Sequence, residues 1–147
     1  MVREATESDL QEILHLYLHL HETTVPENNG HMRDTWSQIL HDPNHHLIVN
    51  EVDGKIVSSC VCVIIPNLTR GVRPYVFIEN VVTDGACRGK GYATECLNYS
   101  REIAKAHNCY KMMLLTGSKS EKTLDFYRLA GNNSAVKTAF IQCLNER

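Results

Sequence analysis

Residues 75–115 constrain the architecture more than any other stretch of the chain. Tyr75 to Thr83 is dense in β-branched and aromatic residues and reads as a strand. Asp84-Gly85 breaks it, and Arg88-Gly89-Lys90-Gly91 leads into a helix. On that helix Ala93, Cys96, Leu97, Ser100, Ile103, Ala104 and His107 fall along one stripe. Tyr110 to Leu115 then reads as a second, buried strand. Strand, crossover helix and strand make a βαβ unit, with its strands parallel and its helix covering one face of the sheet.

The flanking sequence extends this unit on both sides. Val2-Arg3-Glu4-Ala5 has the pattern of a short strand. Thr6-x-x-Asp9 resembles a capping box opening a helix over Glu7–Glu22, with Leu10, Ile13, Leu14, Tyr17 and Leu20 at helical spacing. Pro26, Asn28, Asn29 and Gly30 interrupt it, and Trp36, Ile39 and Leu40 suggest a second helix ending near Asp42-Pro43. Leu47-Ile48-Val49 reads as a strand joined to Ile56–Ile65 by an Asp53-Gly54 hairpin turn. Ser118-x-x-Glu121 is expected to cap a helix containing Leu124, Phe126, Tyr127 and Leu129, with Gly131 at its end. Ala135 to Leu144 is expected to form a final strand. The expected order is β-α-α-β-β-β-α-β-α-β, an α/β fold with a mixed central sheet flanked by helices. No linker or repeat divides residues 1–147, so a single domain is expected.

Composition excludes several functions. With 15 Lys+Arg against 17 Asp+Glu, the 147-residue chain carries a formal charge of −2. That leaves no basic field for nucleic acid or an anionic membrane surface, and neither partner is expected. No apolar run approaches the roughly 20 residues of a membrane span. Met1-Val2-Arg3-Glu4 lacks the apolar core of an export signal, so a cytoplasmic location is expected. None of the six cysteines forms a Cys-x-x-Cys pair. Cys60 and Cys62 point to one face of a strand and read as core, whereas Cys87 lies in a polar loop beside Arg88 and Lys90. His15 and His19 have helical spacing and belong on the polar side of their helix; with His45-His46 they complete no zinc-type ligand set, so no metal is expected.

A glycine-rich turn between a strand and a helix is a physical recipe for holding an anion, because the helix offers unpaired N–H groups and the glycines allow close approach. Neither the Walker spacing nor the dinucleotide fingerprint fits: Gly89-x-Gly91 is followed by Thr94. From the residues alone, an anion-binding loop and a plain turn both stay open.

Arg88-Gly89-Lys90-Gly91-Tyr92-Ala93 fits the Gln/Arg-x-x-Gly-x-Gly/Ala motif of the GNAT superfamily of acetyl-CoA-dependent N-acetyltransferases, and here the chain resembles that family. The resemblance extends through Ile78 to Thr83, the helix after the loop, Asn108-Cys109-Tyr110-Lys111 and Phe126-Tyr127 with Gly131. Ile78-Glu79-Asn80-Val81-Val82 is similar to a stretch of glucosamine-phosphate N-acetyltransferases. The resemblance implies a GNAT-like sheet and transfer of an acetyl group from acetyl-CoA to a primary amine by direct transfer in a ternary complex. The amine is expected to belong to a small molecule. The amides of Arg88, Gly89, Lys90, Gly91, Tyr92 and Ala93 would cradle the pyrophosphate. The backbone of Val81, Val82 and Thr83 would pair with the pantetheine arm, the Val81 N–H facing the acetyl carbonyl.

Tyr127 matches the tyrosine that protonates the departing thiolate, and Glu79 is the candidate base or ammonium anchor. Strict alternation would put Glu79 and Val81 on one face, with Asn80 opposite and structural. Ser120 stands where many members have an Asn that contacts the cofactor, Asn132 where they have Phe or Tyr, Thr83 where an apolar residue is usual, and Gly85 where Pro is frequent. An edge strand near the C-terminus would suit a homodimer. The alternative function is a coenzyme-A-binding sensor or interaction module without turnover.

Overall fold

A computed structural model of the protein describes residues 1–145. In Met1–Leu114, the first of two compact units, five strands form one sheet in the order β1-β2-β3-β4-β5. They are β1 (Val2–Glu4), β2 (His45–Val52), β3 (Lys55–Ile65), β4 (Tyr75–Thr83) and β5 (Met112–Leu114). The first four pair antiparallel, and β5 runs parallel to β4. Asp53 (φ 52°) and Gly54 (φ 75°) both take the left-handed conformation of a tight hairpin, which Asp and Gly accept more readily than most residues.

Helices α1 (Leu10–Leu16) and α2 (Gly30–His41) cover one face of the sheet, and α4 (Tyr92–Ala106) covers the other. On the α1 face Ile13 and Leu16 bury against Leu47, Val49, Ile56, Val61 and Val82, with Trp36 and Ile39 of α2 packed beside them. On the α4 face Cys60, Cys62, Ile78 and Cys96 are fully or almost fully buried, which bears out the core reading of Cys60 and Cys62. Burial is continuous through the middle of β2 and along most of β3, because their alternating side chains supply one set to each covered face. A short turn, α3 (Thr69–Val72), precedes β4; its Arg70 and Gly71 are left-handed, at φ 56° and 71°.

The first helix differs from its expected extent. Asp9 accepts the Thr6 N–H at 2.7 Å, as in a capping box, but Glu7–Asp9 is 3₁₀. The α-helix stops at Leu16, and Tyr17–His19 is a further 3₁₀ turn. Such tightening is common at helix ends, and it points His19 away from the helix axis periodicity the sequence suggested.

The second unit, from Leu115 onward, contains α5 (Glu121–Leu129). Gly131 (φ 97°) ends it in a Schellman motif: the Gly131 N–H donates to the Arg128 carbonyl and the Asn132 N–H to the Tyr127 carbonyl, both at 3.0 Å. The expected cap is corrected: Ser120, not Ser118, occupies the N-cap position, and Ser118 Oγ instead accepts the Ser120 N–H at 3.2 Å. The expected strand Ala135 to Leu144 does not form among the described residues, and Val136, Phe140, Ile141 and Leu144 are exposed. Side-chain alternation marks a segment able to become a strand, but a strand exists only where a second backbone takes its N–H and C=O groups. Otherwise the mixed α/β order is as expected.

Candidate active site

The site begins with an irregularity in β4. Glu79 stands opposite Val61 and Val82 opposite Ser59, so Asn80 and Val81 together face the single position of Cys60. This is a β-bulge, which leaves its extra residue outside the ladder. Asn80 takes φ 51°, a left-handed conformation that Asn tolerates better than other residues with a Cβ. The bulge inverts the alternation. Glu79 and Val82 share the α1 face, opposite Val61 and Ser59, and Val81 turns to the other face. Glu79 and Val81 therefore do not share a face, because one inserted residue moves everything after it to the opposite side. Glu79 is exposed and forms no ion pair among the described residues.

The opposite edge of β4 is open. β5 pairs with it only at Val76, Phe77 and Ile78. From Glu79 to Thr83 that edge presents backbone donors and acceptors with no strand partner among the described residues. Tyr17 reaches the bulge from the α1 face: its hydroxyl is hydrogen-bonded to the Asn80 side chain, and burial pushes its pKa up to about 12. It stays protonated at every physiological pH.

The loop after β4 is tied to both neighbours. Asp84 N–H donates to the Val57 carbonyl at 2.9 Å, and Asp84 Oδ1 accepts the Ala86 N–H at 2.9 Å. Thr83 Oγ1 bonds Ser58 Oγ at 2.9 Å. Gly89 (φ 74°) and Gly91 (φ 85°) carry the chain through left-handed turns into α4. A Cβ at either glycine would meet no protein atom within 4 Å, so the space before α4 is open to a ligand. Gly91 is the N-cap of α4 and supplies no side-chain cap, which leaves first-turn amides and the positive end of the helix dipole facing that space. Arg88, Gly89 and Lys90 are exposed there, and Tyr92 and Ala93 are half-buried. The start of α4 is anchored from the sheet: Asn50, fully buried, donates Nδ2–H to Glu95 Oε2 at 2.6 Å and to the Tyr92 carbonyl at 3.3 Å.

The structure thus brings Glu79, Val81, Val82, Thr83 and Arg88 to Ala93 into one continuous strand–loop–helix surface. Ser120 and Tyr127 lie on the second unit. Tyr127 packs edge-on against Phe126, ring centroids 4.9 Å apart. Asn132 has a local role, since its Nδ2–H also donates to the Tyr127 carbonyl at 3.0 Å. Among the described residues no three His, Cys, Asp or Glu side chains come together to hold a metal ion. Tyr17 and His19 touch the site, whereas helical spacing in the sequence marks both only as parts of a helix. A signal for the bulge was present: Glu79-Asn80 puts two polar residues side by side in an otherwise apolar strand, the second of them tolerant of left-handed backbone.

Comparison with known proteins decides the family. Residues 10–131 match the family described as Acetyltransferase (GNAT) family. The chain belongs to the GNAT family of acetyltransferases. Glucosamine 6-phosphate N-acetyltransferase of Trypanosoma brucei brucei is 35% identical over 135 residues, 88% of this chain and 86% of that one. A solved structure from Agrobacterium tumefaciens str. C58 matches with a TM-score of 0.89 and 35% identity, over 97% of this chain and 99% of that one. Glucosamine-6-phosphate N-acetyltransferase from Arabidopsis thaliana shares the fold, with a TM-score of 0.81 at 23% identity over 96% and 97% of the two chains. The mixed five-stranded sheet flanked by helices is thus the GNAT fold of an N-acetyltransferase.

Proposed function

We propose that the protein acetylates the primary amine of a small molecule, with a phosphorylated amino sugar as the first acceptor to test, by direct transfer in a ternary complex. The carrying observation is the unpaired edge of Glu79–Thr83 running without a break into the Gly89–Gly91 turn and the uncapped start of α4. The amino-sugar class is supported by the 35% identity to the Trypanosoma enzyme and by Ile78-Glu79-Asn80-Val81-Val82.

Acetyl-CoA supplies an activated acyl group when bound. Val81, Val82 and Thr83 hold its pantetheine arm by backbone pairing, and Arg88, Gly89, Lys90, Gly91, Tyr92 and Ala93 hold its pyrophosphate with main-chain amides at a helix N-terminus. Ser120 contributes a hydroxyl contact. The Val81 N–H, outside the ladder at the bulge, donates to the acetyl oxygen as negative charge grows there. Glu79, exposed on the α1 face, takes the ammonium proton directly or through water. The freed amine attacks the acetyl carbon to form the C–N bond; Tyr127 donates its phenolic proton to the sulfur as the C–S bond breaks, and regains the second proton, shed by the acylated nitrogen. The core thiols Cys60, Cys62 and Cys96 are fully buried and take no part, and burial pushes Cys62 up to about 12.

The same reading makes the protein a cytoplasmic enzyme that uses no metal, binds neither nucleic acid nor membranes, and works as a homodimer. No helix among the described residues is long and apolar enough to cross a membrane. The exposed Val136, Phe140 and Ile141 supply apolar surface for a second copy, which sedimentation at micromolar concentration would reveal as a doubled mass.

The decisive test measures thiol release from acetyl-CoA with glucosamine 6-phosphate, glucosamine, an amino acid and a polyamine in parallel. Release dependent on the sugar phosphate is expected. Release with another amine reassigns the acceptor. Thermal stabilisation by acetyl-CoA without release with any amine favours the non-catalytic coenzyme-A-binding module, and neither signal defeats the donor assignment.

A further inference from the structure

Resting on the donor-site reading above, we infer that His19 is a positioning residue for acetyl-CoA: its neutral ring, protonated at Nε2, holds the entry of the glycine-rich loop in its binding conformation. His19 ends the 3₁₀ turn after α1, far in sequence from the loop it touches. The Gly85 N–H donates to His19 Nδ1 at 3.2 Å. Nδ1 must therefore carry a lone pair, which puts the ring hydrogen on Nε2, 3.8 Å from Asp84 Oδ2. The backbone of the same residue completes the clasp, since Arg88 Nη2 donates to the His19 carbonyl at 3.3 Å while Arg88 Nε donates to the Thr83 carbonyl at 3.4 Å.

His19 thus grips both ends of Gly85–Arg88, the short segment between the open edge of β4 and the Gly89–Gly91 turn. Apart from this clasp, the segment is held by the Asp84 cap on Ala86 and the Cys87 N–H to the Asp84 carbonyl, both of them local. A loop held in place before the ligand arrives loses less conformational freedom on binding, so the clasp acts on cofactor affinity. It also links the α1–α2 connection to the donor loop.

Two charged groups face His19, the Asp84 carboxylate and the Arg88 guanidinium. Only a ring with a lone pair on Nδ1 can accept the Gly85 N–H, so the clasp fixes the tautomer of His19.

The test is titration calorimetry with acetyl-CoA at about pH 8, above the ordinary histidine range, on wild type, His19→Ala, His19→Asn and His19→Gln. His19→Ala should bind about fivefold more weakly, the loss of one hydrogen bond. Asn places its Oδ1 close to the position of Nδ1, so His19→Asn should restore affinity, whereas His19→Gln should resemble His19→Ala. Saturating turnover should change less than twofold, and melting curves report that each variant is folded. The inference is overturned if folded His19→Ala binds like wild type at pH 8, or if His19→Asn binds no better than His19→Ala. Wild type that binds no acetyl-CoA overturns the donor-site reading itself, and this inference with it.

Discussion

Tyr127 and Glu79 carry the proposed proton transfers, and they call for different chemistry. A phenol that protonates a leaving thiolate acts in the transition state, so its loss should appear in turnover and leave cofactor binding alone. Tyr127→Phe is expected to lower kcat about a hundredfold with the KM for acetyl-CoA within twofold; steady-state kinetics decide it, and unchanged turnover would reduce Tyr127 to packing against Phe126. Both residues are candidates through motif position in the sequence. The side of the sheet that Glu79 faces was not legible there, because it depends on the inserted residue at Asn80. Tyr17 and His19 were invisible as site residues, since helical spacing records which face a residue occupies and says nothing of a partner some sixty residues away.

At the scale of elements, the bulge in β4 sets which side chains and backbone groups the strand presents around Cys60. A regular strand would keep Val81 in the ladder and continue the Glu79 face beyond it. Asn80 permits the bulge through its left-handed backbone, so replacing it tests the device directly. Asn80→Gly should preserve stability and most activity. Asn80→Val should cost about 1–2 kcal/mol in urea unfolding and lose activity well beyond that, because a β-branched residue favours regular pairing. The elements themselves were largely legible: the limits of β4 were read correctly from its composition, and α4 from its stripe. Errors fell at ends. The first helix tightened into 3₁₀ after Leu16, and residues 135–144 formed no strand. End geometry is set by whatever neighbours take the terminal N–H and C=O groups, and local sequence does not name them.

For the molecule as a whole, two measurements separate the scaffold from the site. The N-terminal edge is fastened by Arg3, which bonds Asp9 at 2.7 and 3.0 Å and Glu51 at 2.7 Å. The guanidinium holds the Asp9 carboxyl down at about 2. A carboxyl lowered in the folded state contributes stability that is present above its unfolded value near 3.9 and is lost as pH falls through its folded value. Stability should therefore drop between about pH 4 and about pH 2. Arg3→Ala, which strands the buried Asp9, should cost about 2 kcal/mol at neutral pH and flatten that acid limb in pH-dependent melts. On the site side, acetyl-CoA at a hundredfold excess over its Kd should add about 2.7 kcal/mol, or roughly 5–10 °C in Tm. Gly91→Trp should stay folded with a slightly lower Tm and lose the shift, since its side chain would fill the space before α4.

The sequence alone determined the α/β class, the βαβ crossover, the buried cysteines and the glycine-rich turn before α4. Each of these rests on local periodicity or on a glycine's freedom, and both are properties of a short stretch of chain. Tertiary structure alone decided which edge of β4 stays open, which face Glu79 occupies, and that His19 and Tyr17 reach the loop and the bulge. Those features depend on pairing register and on contacts across the sheet. A one-residue insertion inverts a face, and a hydrogen bond between distant segments leaves no period in either of them.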